Sequence, residues 1–349
     1  MRSLTIDSNV ISDSSQAFVI AELGHNHQGN LDTCIQLIRA AAFAGASAVK
    51  LQKRHNKTLF TEKAFNAPYN SENAFGPTYG LHREALEFGK EEYQACIEEA
   101  KRCGVVFFST AFDYKSADFL ADLDVPAYKI ASGDLKSLPL LKYIASIGKP
   151  MIISTGGADI EDIDLAVEVI QKEGAPLAVL QCTAAYPPKF EELNLKVIET
   201  FRIRYPDVVI GYSGHDSGIA MSLVAFVLGA RVIEKHFTLN RAMKGTDHAF
   251  SLEPDGMRKL VRDLSRTGLA LGDGTKRSYE SEKEPLRKMG KMIIAARDIK
   301  QGEILTEEHI EIRSPAEGLS PKRIELLIGC RILRPISTGD PIQEHDLER

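Results

Sequence analysis

The sequence predicts an α/β protein, a (β/α)8 TIM barrel followed by a small C-terminal β domain. Eight short β-branched runs recur along the first 240 residues, and each is followed by a stretch in which apolar residues have helical spacing. Most of these runs start 22 to 31 residues apart, the length of one βα unit. Because nearly continuous apolar runs suit parallel strands that are covered on both faces, eight such units favour a closed barrel.

The eight predicted strands follow one another with helical segments between them. They lie at 18–23, 47–52, 105–110, 127–132, 151–155, 177–182, 208–213 and 231–236. Several intervening helices are expected to end at a glycine, such as Gly45 or Gly104. A doubly wound open sheet is the competing fold, but the turn after the first strand, AELGHNHQGN, lacks the GxGxxG phosphate signature.

The chain is predicted to have four parts. These are an N-terminal extension with a possible β-hairpin (1–16), the barrel (17–272), a polar and charge-rich linker (273–288) and the small β domain (289–349). The last part contains an internal repeat, because residues 297–305 align without gaps with residues 334–342 at a constant offset of 37. Two copies are too few for a solenoid, so a pseudo-symmetric β domain is expected.

Composition excludes several classes of protein. The chain has 43 Lys and Arg against 48 Asp and Glu, a net charge of −5, which argues against nucleic-acid and membrane partners. Hydrophobic residues make up 44%, enough for a sizeable core. Five scattered cysteines fit neither a disulfide framework nor a CxxC metal site, and no secretory signal begins the sequence. We therefore expect a cytoplasmic location.

Polar residues gather where the predicted strands end. In a (β/α)8 barrel these ends form the rim that carries the chemistry, and ionised side chains are rarely buried without partners. The rim is therefore a candidate active site. Its residues are Glu22, Lys50, Gln52, Thr110, Lys129, Ser132, Ser154, Ser213, His215, Glu234 and His236.

Two of these residues suggest a metal site. His215 and His236 end consecutive strands, and His236 shares a strand face with Glu234. Two imidazoles at the separation of neighbouring strands can bind one divalent ion and leave positions for water and substrate. Because a third strong ligand is missing, we expect an exchangeable Mn²⁺ or Mg²⁺ rather than a structural zinc. Each histidine alone is better explained as a hydrogen-bonded structural residue, and only the pair together with Glu234 favours a metal site.

A second group of rim residues suggests an anion site. Lys129 lies among the hydroxyl groups of Thr110, Ser132, Ser154 and Ser213, a donor set suited to a phosphate or phosphoenol anion. Three alternatives remain open. The hydroxyls can cap turns, Lys129 can form a salt bridge to an acid such as Asp134, or Lys129 or Lys50 can be the Schiff-base nucleophile of an aldolase. The long segment 53–89 is predicted to be a lid or a binding loop.

In combination and order, the motifs of this chain resemble those of the sialic acid synthase family over nearly its whole length. They are AELGHNHQG, AVKLQ, FFSTAF, AYKIASGD, IISTGG, LQCTAAYP, GYSGHDSG, VIEKHF, KGTDHAFSLEP and, near the C terminus, EIRSP. The resemblance implies an enzyme that condenses phosphoenolpyruvate with the open-chain aldehyde of an N-acetylated hexosamine, releasing phosphate and forming a nine-carbon α-keto acid. It also implies that the C-terminal part is an antifreeze-like (SAF, β-clip) domain.

The resemblance assigns roles to the rim residues. Catalysis would fall to Glu22, Lys50, Lys129 and Glu234, and phosphoenolpyruvate would bind Thr110, Lys129, Ser132, Ser154 and Ser213. The sugar would contact Glu22, Gln52, Tyr186, Asp247 and Arg313, and His215 and His236 would hold the metal. Family members are domain-swapped homodimers in which the antifreeze-like domain caps the partner's barrel, so Arg313 would act across that interface.

The identity of the sugar stays open. Ala184 stands where the family often has Asn, which removes one expected contact to phosphate, and the 53–89 segment differs from that of acetylmannosamine-using members. N-acetylmannosamine, a diacetylated dideoxyhexose leading to legionaminic or pseudaminic acid, and a phosphorylated aminosugar are the candidates. A Schiff-base or metal-dependent aldolase is a more remote alternative, and a non-enzymatic binder is the third hypothesis.

Overall fold

The computed structural model describes residues 2–348, and the chain divides into two compact units, Met1–Gly272 and Asp273–Arg349. The first unit contains a closed barrel of eight parallel strands, each followed by a helix, as predicted. The doubly wound alternative is therefore wrong. The strands are β3 (Phe18–Gly24), β4 (Ala48–Lys53), β5 (Val106–Ala111), β6 (Tyr128–Ile130), β7 (Met151–Ser154), β8 (Leu177–Cys182), β9 (Val209–Gly214) and β10 (Val232–His236).

Helices surround the barrel, and three short ones lie in the segment between β4 and β5. The helices of this unit are α1 (Leu31–Phe43), α2 (Asn56–Leu59), α3 (Glu62–Phe65), α4 (Tyr79–Glu84), α5 (Lys90–Cys103), α6 (Tyr114–Asp122), α7 (Leu138–Ser146), α8 (Ile160–Lys172), α9 (Val197–Arg204), α10 (Ala220–Val227) and α11 (Pro254–Leu271). Side-chain caps fix several starts. Asn30 accepts a hydrogen bond from the Thr33 backbone at 2.8 Å, and Asp113 accepts one from the Ser116 backbone at 2.9 Å.

Strand alternation separates two apolar cores. Along β3, Phe18 and Ile20 belong to the barrel interior, whereas Val19 and Ala21 pack in the layer between strands and helices. The N-terminal strands β1 (Ser3–Ile6) and β2 (Asn9–Ser12) form an antiparallel hairpin, and its Leu4, Ile6 and Ile11 join the interior cluster. The carboxyl ends of the strands are thereby left as the polar end of the barrel.

Strand β6 is shorter than predicted. It ends at Ile130, two residues before the predicted end, because Ser132–Asp134 form a 3-10 turn. This turn brings both Ser132 and Asp134 to the polar end of the barrel. None of the helices within residues 2–348 is long and apolar enough to cross a membrane.

The second unit is built from the two repeated segments. Its strands are β11 (Met292–Ala295), β12 (Ile310–Arg313), β13 (Arg331–Ile332) and β14 (Leu347–Glu348), and its helices are α12 (Lys283–Met289) and α13 (Ile324–Leu327). Helix α12 occupies the last six residues of the predicted linker. Equivalent residues of the two repeats, Ile299 and Ile336, exchange two backbone hydrogen bonds of 2.9 Å each. Both lie in the unit's apolar core with Leu305 and its equivalent Ile342.

Candidate active site

A cavity of about 770 Å³ opens at the carboxyl ends of the barrel strands. Its size falls in the range of small-molecule sites. The structure brings together all of the rim residues predicted in the barrel. The cavity is lined by Glu22, Lys50, Gln52, Thr110, Lys129, Ser132, Ser154, Tyr186, Ser213, His215, Glu234, His236 and Asp247. The roles assigned to them individually stay predictions.

A buried lysine between two carboxylates forms the centre of the cavity. Strand register places Glu22 opposite Lys50 on one side and opposite His236 on the other. The Lys50 Nζ lies 2.7 Å from Glu22 Oε2 and 3.5 Å from Glu234 Oε2, and it donates to Thr110 Oγ1 at 3.0 Å. All three charged side chains are at most 6% exposed. One ammonium group thus lies between two buried carboxylates, and one oxygen of each carboxylate has no hydrogen-bond partner.

Burial and neighbouring charges decide how these groups ionise. Burial would lower the pKa of Lys50, but Glu22 and Glu234 outweigh it and raise that pKa above its ordinary value. Burial raises the pKa of Glu22 although Lys50 opposes it. Lys50 is consequently a cation at neutral pH, which disfavours it as the neutral amine that Schiff-base chemistry needs.

Lys129 contacts one of the four predicted hydroxyl groups inside the cavity, that of Ser154. The Lys129 Nζ donates to Ser154 Oγ at 2.6 Å and to the Ile130 carbonyl at 2.8 Å. No carboxylate oxygen lies within 4.0 Å of this nitrogen in the described chain, so the alternative of a salt bridge from Lys129 to Asp134 is wrong. Burial lowers the pKa of Lys129, with Glu234 opposing. An anion seated here would be its missing counter-ion.

Gly156 brings backbone into the same region. Its N–H donates to Ser132 Oγ at 3.0 Å. A Cβ added to Gly156 would lie 2.8 Å from the Ala184 Cβ and 2.9 Å from Ser132 Oγ, closer than real Cβ contacts. Only glycine fits this position without displacing its neighbours. The small Ala184 side chain also lines the cavity.

The two histidines face each other at the ends of β9 and β10. Their ring centroids are 5.3 Å apart. His215 Nδ1 lies 3.0 Å from the Thr183 carbonyl, so this nitrogen carries the proton and Nε2 keeps its lone pair. Burial, followed by His236, lowers the pKa of His215 to about 4, and burial also lowers the pKa of His236. Both imidazoles are therefore neutral at pH 7, the form that binds metals.

The donor set fits a weakly held divalent ion. His236 Nδ1 is buried without a hydrogen-bond partner and lies 3.7 Å from Asp247 Oδ2. Across residues 2–348, no group of three or more His, Cys, Asp or Glu side chains is arranged to hold a metal. Two imidazoles alone leave several ligand positions to water and substrate, which agrees with an exchangeable ion.

The remaining predicted residues extend the site outward. Gln52 Nε2 donates to Glu22 Oε1 at 2.6 Å, and the Tyr186 ring lies 4.2 Å from the His215 ring between centroids. Arg313 belongs to the second unit, where its guanidinium is exposed and pairs with Glu311 at 2.8 Å. Its predicted contribution to the barrel of a partner stays a prediction.

The cavity also contains residues that were not assigned to the site from the sequence. They are Arg54, Leu59, Phe60, Asn73, Tyr79, Arg83, Phe112, Ala131, Gly133, Asp134, Cys182, Ala184 and Thr246. Six of them lie in the 53–89 segment, which therefore supplies one wall of the cavity. Asp134 has a buried Oδ2 without a hydrogen-bond partner, and burial raises the pKa of this carboxyl to about 6. Arg54 had a usable signal, because it continues the alternation of Lys50 and Gln52.

A polar rim at the carboxyl ends of eight parallel strands is typical of a TIM-barrel enzyme. The family model described as "NeuB family" matches residues 37–276, and the SAF domain model matches residues 290–348. The chain belongs to the NeuB family. The resemblance to sialic acid synthases, the TIM barrel and the C-terminal SAF domain are thus confirmed.

Individual relatives agree with this assignment. The chain is 38% identical over 328 residues to N-acetylneuraminate-9-phosphate synthase of Homo sapiens, covering 94% of this chain and 91% of the relative. It is 39% identical over 318 residues to N,N'-diacetyllegionaminic acid synthase of Campylobacter jejuni, covering 90% of this chain and 95% of the relative. The crystal structure of a sialic acid synthetase from Leptospira borgpetersenii, in complex with citrate, matches with a TM-score of 0.70 and 34% identity, covering 82% of this chain and 95% of that one.

Proposed function

We propose that this enzyme condenses phosphoenolpyruvate with the open-chain aldehyde of an N-acetylated hexosamine, such as N-acetylmannosamine. The products are a nine-carbon, sialic-acid-type α-keto acid and phosphate. Carbon 3 of phosphoenolpyruvate forms the new bond to the aldehyde carbon, a water oxygen adds to carbon 2, and the bond from carbon 2 to the phosphate oxygen breaks. The aldehyde oxygen takes up a proton.

One observation carries the proposal. A buried lysine without a carboxylate partner, Lys129, lies beside Ser154 in the same cavity as two neutral histidines and the Glu22–Lys50–Glu234 cluster. Phosphate needs a cation and several donors, and an aldehyde needs a polarising group together with groups that move protons. Both requirements are met within one cavity.

The residues divide the work between the two substrates. Lys129 and the hydroxyls of Thr110, Ser132, Ser154 and Ser213 bind phosphoenolpyruvate, and the Gly156 N–H holds Ser132 in place. Glu22, Gln52, Tyr186 and Asp247 position the sugar, and Glu22, Lys50 and Glu234 handle the protons. His215 and His236 would hold Mn²⁺ or Mg²⁺, which when bound supplies a Lewis acid for the aldehyde oxygen.

The test is phosphate release from phosphoenolpyruvate across a panel of aminosugars. Turnover with N-acetylmannosamine supports a sialic acid synthase. Turnover only with a diacetylated dideoxyhexose points to a legionaminic acid synthase, as the Campylobacter jejuni relative is named, or to a pseudaminic acid synthase. Borohydride treatment with substrate distinguishes the aldolase alternative. A covalent lysine adduct that forms in the presence of EDTA, without phosphate release, would overturn the proposal.

A metal-ligand variant tests the histidine pair. His236→Ala should lower activity by about 10- to 100-fold and raise the Mn²⁺ concentration needed for half-maximal rate, because it removes one of two protein ligands. The rate is measured as a function of Mn²⁺ concentration in the wild type and the variant. Unchanged activity at saturating Mn²⁺ would remove His236 as a ligand.

We further propose a domain-swapped homodimer in which Arg313 completes the partner's site. Arg313→Ala and Lys129→Met should each be nearly inactive. An equal mixture that exchanges subunits should recover about a quarter of wild-type activity, since half of the dimers are mixed and each has one intact site. Absence of any recovery, with exchange verified, would contradict the shared site.

A further inference from the structure

Two arginines form a cationic end of the cavity that the proposed chemistry does not use. Arg54 follows strand β4 and continues the alternation of Lys50 and Gln52, and Arg83 lies on α4 in the 53–89 segment. Both line the cavity, although Arg54 is only 8% exposed. Placing two guanidinium groups at one end of a substrate cavity costs free energy unless an anion binds beside them.

Neither guanidinium has an acidic partner. Across the described residues, no carboxylate oxygen lies within 4.0 Å of a guanidinium nitrogen of Arg54 or Arg83. Arg54 donates to Gln52 Oε1 at 2.8 Å and stacks on the Phe112 ring at 3.6 Å, and Arg83 donates to the Tyr79 hydroxyl at 3.0 Å. These neutral contacts orient the two groups without neutralising them.

The acids of this region are engaged elsewhere or lie beyond contact. Glu87 pairs with Lys53 at 3.2 Å, so these two charges cancel. Asp247 lies nearest to His236, at 3.7 Å. Asp134 also lines the cavity but reaches neither guanidinium, and burial favours its protonated form. The two guanidinium groups are therefore without a carboxylate in direct contact, although Glu87 Oε2 accepts a hydrogen bond from the Arg54 backbone N–H at 3.2 Å.

His25 lies between the two arginines and can accept a hydrogen bond from only one of them. Its Nε2 is 3.3 Å from Arg54 and its Nδ1 is 3.3 Å from Arg83. Burial, then repulsion by Arg54 and Arg83, lowers the pKa of His25 well below its ordinary value, so the ring is neutral. A neutral imidazole accepts at one nitrogen only. One of the two guanidinium groups therefore faces an N–H, which leaves its donors available to a ligand.

We propose that Arg54 and Arg83 form a second anion subsite that binds a phosphate group on the far end of the aminosugar. This assignment rests on the proposed condensation. The Arg54 guanidinium donates to Gln52 Oε1, and Gln52 Nε2 donates to Glu22 Oε1, so one side-chain amide separates Arg54 from the Lys50 cluster. A sugar whose aldehyde lies at the Lys50 cluster would extend its terminal carbon toward this end. Guanidinium groups match phosphate oxygens in bidentate geometry.

Phosphoenolpyruvate is the other possible source of an anion here, and kinetics separate the two. Phosphate release is measured for the wild type, Arg54→Gln and Arg83→Gln with N-acetylmannosamine 6-phosphate and with N-acetylmannosamine. The exposed Arg204, which pairs with Asp164 on the barrel exterior, provides the control Arg204→Gln with the same change in charge. Calorimetric binding of the sugar phosphate to the full chain, without phosphoenolpyruvate, gives a readout that does not depend on turnover.

The wild type should prefer the phosphorylated sugar by tenfold or more in kcat/KM. Each variant should lose about 10- to 100-fold in kcat/KM for that sugar, as expected for the loss of a charge-assisted hydrogen bond. The affinity for the sugar phosphate measured by calorimetry should fall by a similar factor. The KM for phosphoenolpyruvate should stay within about threefold, as in Arg204→Gln. Arg83→Gln alone decides the matter if Arg54→Gln does not fold.

Three results would overturn the subsite. They are equal losses for both sugars, a KM effect confined to phosphoenolpyruvate, and sugar-phosphate affinity that neither variant changes. Turnover of the unphosphorylated sugar alone would keep the synthase proposal and reject the subsite. No phosphate release with any sugar would instead reject the synthase proposal, and calorimetry would still decide whether the arginines bind the phosphate.

Discussion

A buried ion pair behind the two histidines yields the sharpest stability prediction. The Lys235 Nζ donates to the Asp216 carbonyl at 2.5 Å and to Asp216 Oδ1 at 3.1 Å, and the Tyr212 hydroxyl donates to the same oxygen at 2.8 Å. Both charged side chains are 1% exposed. Lys235 adjoins His236 in the chain and Asp216 adjoins His215, so the pair ties together the backbone segments that carry both imidazoles.

Lys235→Met leaves the Asp216 carboxylate buried without its counter-ion. Breaking a buried pair in this way costs about 3–5 kcal/mol of unfolding free energy. Asp216→Asn should also destabilise, because it leaves the lysine unpaired. The double variant should lose less than the sum of the two, with a coupling energy of about 1–3 kcal/mol.

Urea unfolding followed by far-UV circular dichroism measures these values, since the chain has no tryptophan. Lys149 and Asp124 provide a matched surface pair, 2.7 Å apart with side chains 38% and 85% exposed. Their double-mutant cycle should give a coupling energy below about 1 kcal/mol. A loss below about 1 kcal/mol for Lys235→Met, or equal coupling in the two cycles, would refute the reasoning.

Two further substitutions test other parts of the barrel. Gly156→Ala should raise the KM for phosphoenolpyruvate by about tenfold, because the new Cβ collides with the cavity wall beside Ser132. The control is Gly256→Ala in α11, where a Cβ would make ordinary contacts at 3.4 Å and the kinetics should not change. Equal KM values in the two variants would contradict the steric explanation. Arg39 and Arg102 lower the pKa of Glu99 to about 2, so its stabilising contribution is present above pH 4.5 and lost as pH falls toward 2. Glu99→Gln should therefore melt at a lower temperature than wild type at pH 7, and this difference in melting temperature should vanish near pH 2. Glu98→Gln, at an exposed position, should show no such dependence on pH. A difference that persists at low pH would exclude the ion pairs of Glu99 as its cause.

Much of the site was predictable because barrel strands obey a strict alternation. Lys50, Lys129 and Glu234 stand out as charges inside apolar runs, and the register of β3 with β4 and β10 places Glu22 opposite Lys50 and His236. The fold followed from the same periodicity, through the spacing of eight βα units.

The parts that were missed depend on irregular backbone. Arg83 and Tyr79 lie in a segment without strand or barrel-helix periodicity, so only its packing brings them to the cavity. Asp134 reaches the site because a 3-10 turn replaces the end of a strand. Helix α12 was predicted as linker, since its polar composition carries no apolar stripe. Local turns and tertiary contacts decided these positions, and neither leaves a periodic signal.

The paired repeats of the second unit have a consequence for how that unit arose. Ile299 and Ile336 bond to each other rather than within their own copies, so either copy alone would expose an unpaired backbone edge and half a core. Such a segment is self-complementary, and two separate identical chains would associate through the same residues about a two-fold axis. Each copy thus completes the backbone pairing and the apolar core of the other, so a substitution at Ile299 or Ile336 disturbs both copies at once.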